Sequence, residues 1–183
     1  IPFRYNSIDE FKEIVETHDL AAIKMEVERS EPPLNNFLIE IRRICTKKNI
    51  ILIFDECSSG FRETYGGLHK KYNVNPDMAI FGKTLGNGYA ITAVIGIRAI
   101  MEYAQETFIS STFWTERIGP TAALQTLKVM SEIKSWEYVT SLGKYLKKVW
   151  LDLAKRNNLN LEINGIYPLI SFRIKSDNYL KYK

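Results

Sequence analysis

Apolar residues follow two rhythms along the first half of the chain, one spaced for helices and one continuous enough for buried strands. Ser7 precedes Ile8-Asp9-Glu10-Phe11, which predicts a short amphipathic helix to about Thr17, with Ser7 as N-cap and Glu10 at the third helical position. Ala21 to Glu28 reads as a buried strand, and Pro32-Pro33 marks a loop. Asn36 then caps a helix whose apolar positions, Phe37, Leu38, Ile41, Ile44 and Cys45, recur at helical spacing with Arg42, Arg43, Lys47 and Lys48 outward. The run Ile50-Ile51-Leu52-Ile53-Phe54 forms the next strand and ends at Asp55. Strand, helix, strand is the crossover unit of a parallel sheet. Apolar runs without alternation predict burial on both faces.

Beyond Asp55 lies a polar, glycine-rich loop, Ser58 to Gly67, and then Asn75-Pro76-Asp77. Met78 to Phe81 predicts a strand leading to Gly82-Lys83, and Ala93 to Ile97 predicts another. Phe108 to Phe113 is a β-like run rich in Ser and Thr. Gly119-Pro120 opens a long helix to about Met130, and Ser135 opens a second to about Arg156. From Leu159 onward, Leu161, Ile163, Ile166, Leu169, Ile170, Phe172 and Ile174 predict further strands. The change of pattern near residue 133 predicts two parts, 1–132 and 133–183. With no Met at Ile1 and a stop at Lys183 just after a strand-like run, the chain is expected to be a piece of a longer protein.

Composition adds little beyond exclusions. The 183 residues are 45% hydrophobic and 25% charged, an ordinary globular balance. A net charge of +4 is mild, and the basic residues are spread out apart from Lys47-Lys48 and Lys147-Lys148, so a nucleic-acid partner is not expected. Two cysteines, Cys45 and Cys57, and two histidines, His18 and His69, predict neither a disulfide framework nor a metal site. Without an apolar run of membrane-spanning length or a visible signal peptide, a cytoplasmic location and no membrane partner are expected.

The chemistry concentrates in two strand-end residues of opposite charge. Asp55 and Lys83 each close an apolar strand at its carboxyl end, which places them at one crevice of an open α/β sheet. Gly82-Lys83-Thr84 also ends like a phosphate-binding P-loop, and Ile50 to Glu56 looks like the strand and Asp-Glu that hold magnesium. The P-loop needs a glycine five residues before Gly82, where this chain has Asp77 beside Pro76, and proline donates no amide. The order of the two motifs is reversed as well. A nucleotide hydrolase is therefore not supported. Alone, Asp55 reads as a solvated strand-end carboxylate and Lys83 as a surface lysine. Together they supply what pyridoxal phosphate (PLP) chemistry requires: an amine to condense with the cofactor aldehyde, and a carboxylate to keep the pyridine nitrogen protonated.

The residues Leu52-Ile53-Phe54-Asp55-Glu56-Cys57-Ser58-Ser59-Gly60-Phe61-Arg62, Asn75-Pro76-Asp77-Met78 and Phe81-Gly82-Lys83-Thr84-Leu85-Gly86-Asn87-Gly88-Tyr89 carry a specific resemblance. So do Phe108-Ile109-Ser110-Ser111-Thr112-Phe113 with Ala122-Ala123, and Phe37-Leu38 before a helix ending in Cys45. Across essentially its whole length the chain resembles the class III PLP-dependent aminotransferases of fold type I, in particular their glutamate-1-semialdehyde aminomutase-like branch. The resemblance implies an α/β fold with a mainly parallel sheet flanked by helices. Residues 1–132 would be part of the cofactor-binding large domain, and 133–183 a long helix and the start of an α+β small domain. It implies that Lys83 forms the Schiff base with PLP and later shuttles a proton, and that Asp55 binds the pyridine nitrogen. Cys57 falls where an aliphatic residue packs on the ring face, a place a buried Cys can fill as a small hydrophobe. Ser58 falls near the ring hydroxyl, where relatives carry a longer polar side chain. Thr112 matches a threonine that binds the cofactor phosphate across a dimer interface; its other reading is a threonine in an ordinary strand.

Three departures qualify the match. The small-residue loop that makes most phosphate contacts and the aromatic that stacks on the ring are not in this chain, and are expected before Ile1. Glu26-Val27-Glu28 replaces the usual Glu-Pro, and the loop from Glu26 to Phe37 is shorter than in the aminomutase. Most of the small domain is expected after Lys183. The expected activity is transfer of an amino group from a small-molecule donor to a keto or aldehyde acceptor, in a homodimer. Two alternatives stand: an intramolecular aminomutase of the glutamate-1-semialdehyde 2,1-aminomutase type, and a cofactor-binding or interaction module without turnover.

Overall fold

A four-stranded sheet organises the first part of the chain in the computed structural model, which describes residues 1–28 and 30–176. The strands are β1 (Ala22–Glu26), β2 (Ile51–Asp55), β3 (Met78–Phe81) and β4 (Ala93–Gly96), side by side in that order. β1, β2 and β3 run parallel, and β4 is antiparallel to β3. Helix α1 (Ile8–Thr17) precedes β1, and α2 (Phe37–Lys48) makes the crossover from β1 to β2. The core lies between these helices and one face of the sheet. Phe11 and Val15 of α1 and Phe37, Leu38, Ile41, Ile44 and Cys45 of α2 meet Ile23, Met25, Leu52 and Phe54. α2 stops where Asn49 turns left-handed (φ 55°) and returns its amide to Cys45 and Thr46 carbonyls.

Burial alternates along the strands, unlike the two-sided burial expected from the apolar runs. Leu52 and Phe54 are buried, whereas Ile51, Ile53 and Asp55 on the opposite face are partly open. β1 is also shorter than the predicted Ala21 to Glu28. The helix starts fall where expected, but neither cap forms. Ser7 makes no side-chain cap, and Glu10 is drawn instead to the Arg4 amide and Nε, both at 3.0 Å. Asn36 is left-handed (φ 60°) and its side chain does not cap α2.

A short helix α3 (Arg98–Met101) follows β4. The run Phe108 to Phe113, read as β-like, is not a strand: Phe108 is 94% exposed, and the chain enters a turn at Thr112. β-propensity reports fit to a neighbouring pleated surface, and among the described residues no strand lies beside this run. Helices α4 (Ile118–Ile133) and α5 (Ser135–Arg156) are joined by Lys134 alone, in the left-handed region (φ 50°). Strands β5 (Leu161–Asn164) and β6 (Ser171–Ile174) pair antiparallel in a separate sheet. This region touches the first part through Gly165 N to Ser30 O (3.0 Å), Tyr167 N to Glu63 Oε1 (2.9 Å) and the rings of Tyr65 and Trp136. Residues 177–183, the end of the predicted 133–183 part, lie outside the described residues.

Candidate active site

Parallel pairing brings three strand ends to one edge of the sheet. In register, Glu26 stands beside Asp55, and Asp55 beside Ile80. Asp55 therefore sits at the carboxyl end of β2, with Lys83 just past the end of β3. Gly82 is extended, and a Cβ there would lie 3.4 Å from both Cys57 Sγ and Thr92 Cγ2, so the lysine's approach passes close beneath the thiol. Lys83 itself is left-handed at φ 44°, a conformation that is unfavourable for a side chain with a Cβ. A tight turn fixes it there: Leu85 N bonds Gly82 O (3.0 Å), and Gly86 N and Asn87 N bond Lys83 O (3.1 and 3.0 Å).

Four of the five predicted site residues are joined by contacts. Lys83 Nζ donates to Ser58 Oγ at 2.7 Å. Cys57 N donates to Asp55 Oδ1 at 3.1 Å, and the Cys57 thiol also bonds the Asp55 carboxylate. Thr112 is not brought to this cluster. It is exposed in its turn, and among the described residues no hydrogen bond or ion pair links it to Lys83, Asp55, Cys57 or Ser58.

One participant was not predicted. Lys24 Nζ lies 2.9 Å from Asp55 Oδ2. The available signal was a lysine inside the apolar run Ala21 to Met25, at a position whose face is set by alternation. Partial burial pushes the Asp55 carboxyl up, but the Lys24 ammonium and the Cys57 amide and thiol outweigh it, leaving the group below its ordinary range. The same pairing holds the Lys24 ammonium above its ordinary value. Burial, then the hydrogen bond and charge of Asp55, raise the Cys57 thiol, although Lys83 and Lys24 draw it down.

Behind Asp55 lies a second carboxylate. Glu56 is fully buried (0% exposed), with Oε1 accepting the His69 amide at 3.0 Å and lying 2.8 Å from His69 Nδ1, and Oε2 accepting the Ser59 hydroxyl. Burial raises this carboxyl, and its bonds to His69, Ser59 and nearby amides reverse the shift, so it too lies below its ordinary range. These bonds brace the loop that carries Cys57 and Ser58.

The residues present fit a cofactor with an aldehyde and a pyridine nitrogen. A carboxylate has about four acceptor positions, and Lys24 with the Cys57 amide and thiol leaves Asp55 room for one more donor. In the lysine's own turn, the buried Thr84 hydroxyl has no hydrogen-bond partner among the described residues. Among those residues no group of three or more His, Cys, Asp or Glu could hold a metal, and no helix is long and apolar enough to cross a membrane.

Known proteins resemble this chain over most of its length. The sequence profile of the family described as Aminotransferase class-III matches residues 6–181. The chain is 34% identical to a 3-aminobutyryl-CoA aminotransferase of Cloacimonas acidaminovorans, over 93% of this chain and 44% of that protein. It is 29% identical to a glutamate-1-semialdehyde 2,1-aminomutase of Natranaerobius thermophilus, over 91% of this chain and 41% of that one. The FumI protein of Sphingopyxis sp. MTA144, solved in its PLP internal aldimine form, superposes with a TM-score of 0.91 at 23% identity, over 97% of this chain and 45% of that one. The chain thus spans less than half the length of each of these three proteins.

Proposed function

The chain belongs to the class-III aminotransferases, and from that membership we propose that the protein it represents is a PLP-dependent aminotransferase, moving an amino group from a small-molecule donor to a keto or aldehyde acceptor. The observation that carries this reading is the contact chain across the carboxyl ends of β2 and β3, from Lys83 through Ser58 and Cys57 to Asp55.

In this proposal Lys83 holds the cofactor covalently and moves the proton at its Nζ. Ser58 Oγ, 2.7 Å away, orients that amine. Asp55 keeps a proton on the pyridine nitrogen, and Cys57, pinned to Asp55 through its amide, lines the ring face. Bound PLP supplies an electron-withdrawing ring that takes up the electron pair released at the substrate carbon. Thr112 is proposed to bind the cofactor phosphate of the neighbouring subunit in a homodimer, in keeping with its exposed position. A cytoplasmic location is proposed as well, in keeping with two free cysteines.

Tracing nitrogen tests the activity. A labelled amino donor should pass its nitrogen to a separate acceptor, and donor alone should stop after one equivalent of keto product. Label retained within a single isomerised molecule would overturn the transferase in favour of the aminomutase. With neither outcome, and no turnover by the folded full-length protein, the module without turnover would stand.

A further inference from the structure

Asp55 has a partner in this chain before any cofactor arrives. Ala22, Lys24 and Glu26 share one face of β1 by strand alternation. Lys24 is in register with Ile53, one position on that face below Asp55, so its side chain must lean along the strand to reach the carboxylate. It does so at 2.9 Å from Oδ2, while the Cys57 amide takes Oδ1 at 3.1 Å. Donors from two elements thereby fix the plane of one carboxylate.

A salt bridge of this kind adds little stability. Lys24 is 58% exposed and Asp55 24% exposed, and solvent-exposed pairs contribute weakly to folding. Their effect falls instead on the orientation and the charge of Asp55. The charged and titratable groups facing the pair are Glu26 from β1, Cys57 from the loop after β2, and Lys83 from the turn after β3. Asp55 first, and Glu26 last and least, hold Lys24 above its ordinary value, and a lysine ammonium stays charged throughout the acid range in which a carboxylate titrates.

Resting on the aminotransferase reading, we propose that Lys24 is a positioning residue that aims the Asp55 carboxylate and keeps it ionised, setting the lowest pH at which Asp55 can pair as an anion with the cofactor's protonated ring nitrogen. The sign follows from the contacts. A neighbouring cation favours the carboxylate over the carboxylic acid, so its removal lets Asp55 protonate at higher pH.

Two variants of the full-length protein, Lys24→Gln and Lys24→Arg, test this with two readouts. PLP affinity is measured by absorbance titration across pH. In cofactor-free protein, alkylation of Cys57 by iodoacetamide is followed by peptide mass mapping. Lys24→Gln should move the acid limit of PLP binding to higher pH, and should slow Cys57 alkylation severalfold at fixed pH because a cation that favours the thiolate has gone. Lys24→Arg should stay near the parent in both. Parent-like profiles in folded Lys24→Gln, or equal shifts in both variants, overturn the proposal. Absence of PLP binding by the parent protein would count against the functional reading, and Cys57 alkylation would then decide alone whether Lys24 sets the local charge.

Discussion

Asp55 and Glu56 are neighbours in sequence with opposite tasks, and substitution separates them. Asp55 is partly open at the strand end, so Asp55→Ala should leave the fold largely intact. If it stabilises charge on the cofactor ring, turnover should fall on the order of 10²–10³-fold while PLP affinity falls far less. Turnover and affinity measured side by side check this, and near-normal turnover would assign the role elsewhere. Glu56 faces inward, and Glu56→Gln would leave its buried donors imperfectly paired, with an expected loss of roughly 1–3 kcal/mol of stability in urea unfolding. Its lowered folded pKa also fixes a sign. The stabilisation is present above the ordinary carboxylate range and is lost as pH falls through the folded value. The variant should therefore show a shallower acid loss of stability than the parent.

Elements were more legible in the sequence than their details. The bounds of β2, β3 and α5 fall within a residue of those read from apolar runs and a starting Ser, although the strands bury one face where the runs predicted two. The caps of α1 and α2 were not legible, since Arg4 competes for Glu10 and Asn36 turns left-handed. Phe108 to Phe113 shows why composition misleads: strands need a neighbour, and composition does not reveal one. Lys24 escaped notice because it depends on register between two strands, a relation no single segment displays. α5 offers a prediction of its own. A Cβ at Gly143 would lie 2.0 Å from the Tyr167 carbonyl oxygen and 2.4 Å from its carbon. Alanine improves a helix by roughly 1 kcal/mol, but backbone atoms cannot swing aside as a side chain does. Gly143→Ala should thus destabilise by roughly 1–3 kcal/mol net, measured by thermal or urea unfolding. An increase in stability would show that α5 and the Tyr167 turn can separate cheaply.

At the scale of the molecule, we propose a division after residue 132. The two separate sheets and the single left-handed residue between α4 and α5 support it. The proposed homodimer depends on Thr112, which among the described residues makes no hydrogen bond or ion pair with the cluster around Lys83. Thr112→Ala should weaken PLP binding by roughly 1.5–3 kcal/mol if its hydroxyl meets a phosphate. Mixed dimers of Thr112→Ala and Lys83→Ala chains then decide the geometry. A threonine acting across the interface leaves one intact site per mixed dimer, and activity should persist. Activity per intact lysine no higher than in Thr112→Ala homodimers at the same sub-saturating PLP would place Thr112 within its own chain's site.

The left-handed backbone at Lys83 has an implication for anyone selecting variants of this protein. A lysine in that conformation costs roughly 1–2 kcal/mol, which glycine or asparagine would largely recover. If Lys83 carries the proposed cofactor chemistry, heat resistance and activity pull this one position in opposite directions. A library sorted only for robust folding should drift toward molecules that have lost the reactive amine and outlast the parent, so a gain in melting temperature at residue 83 would mark silence rather than improvement.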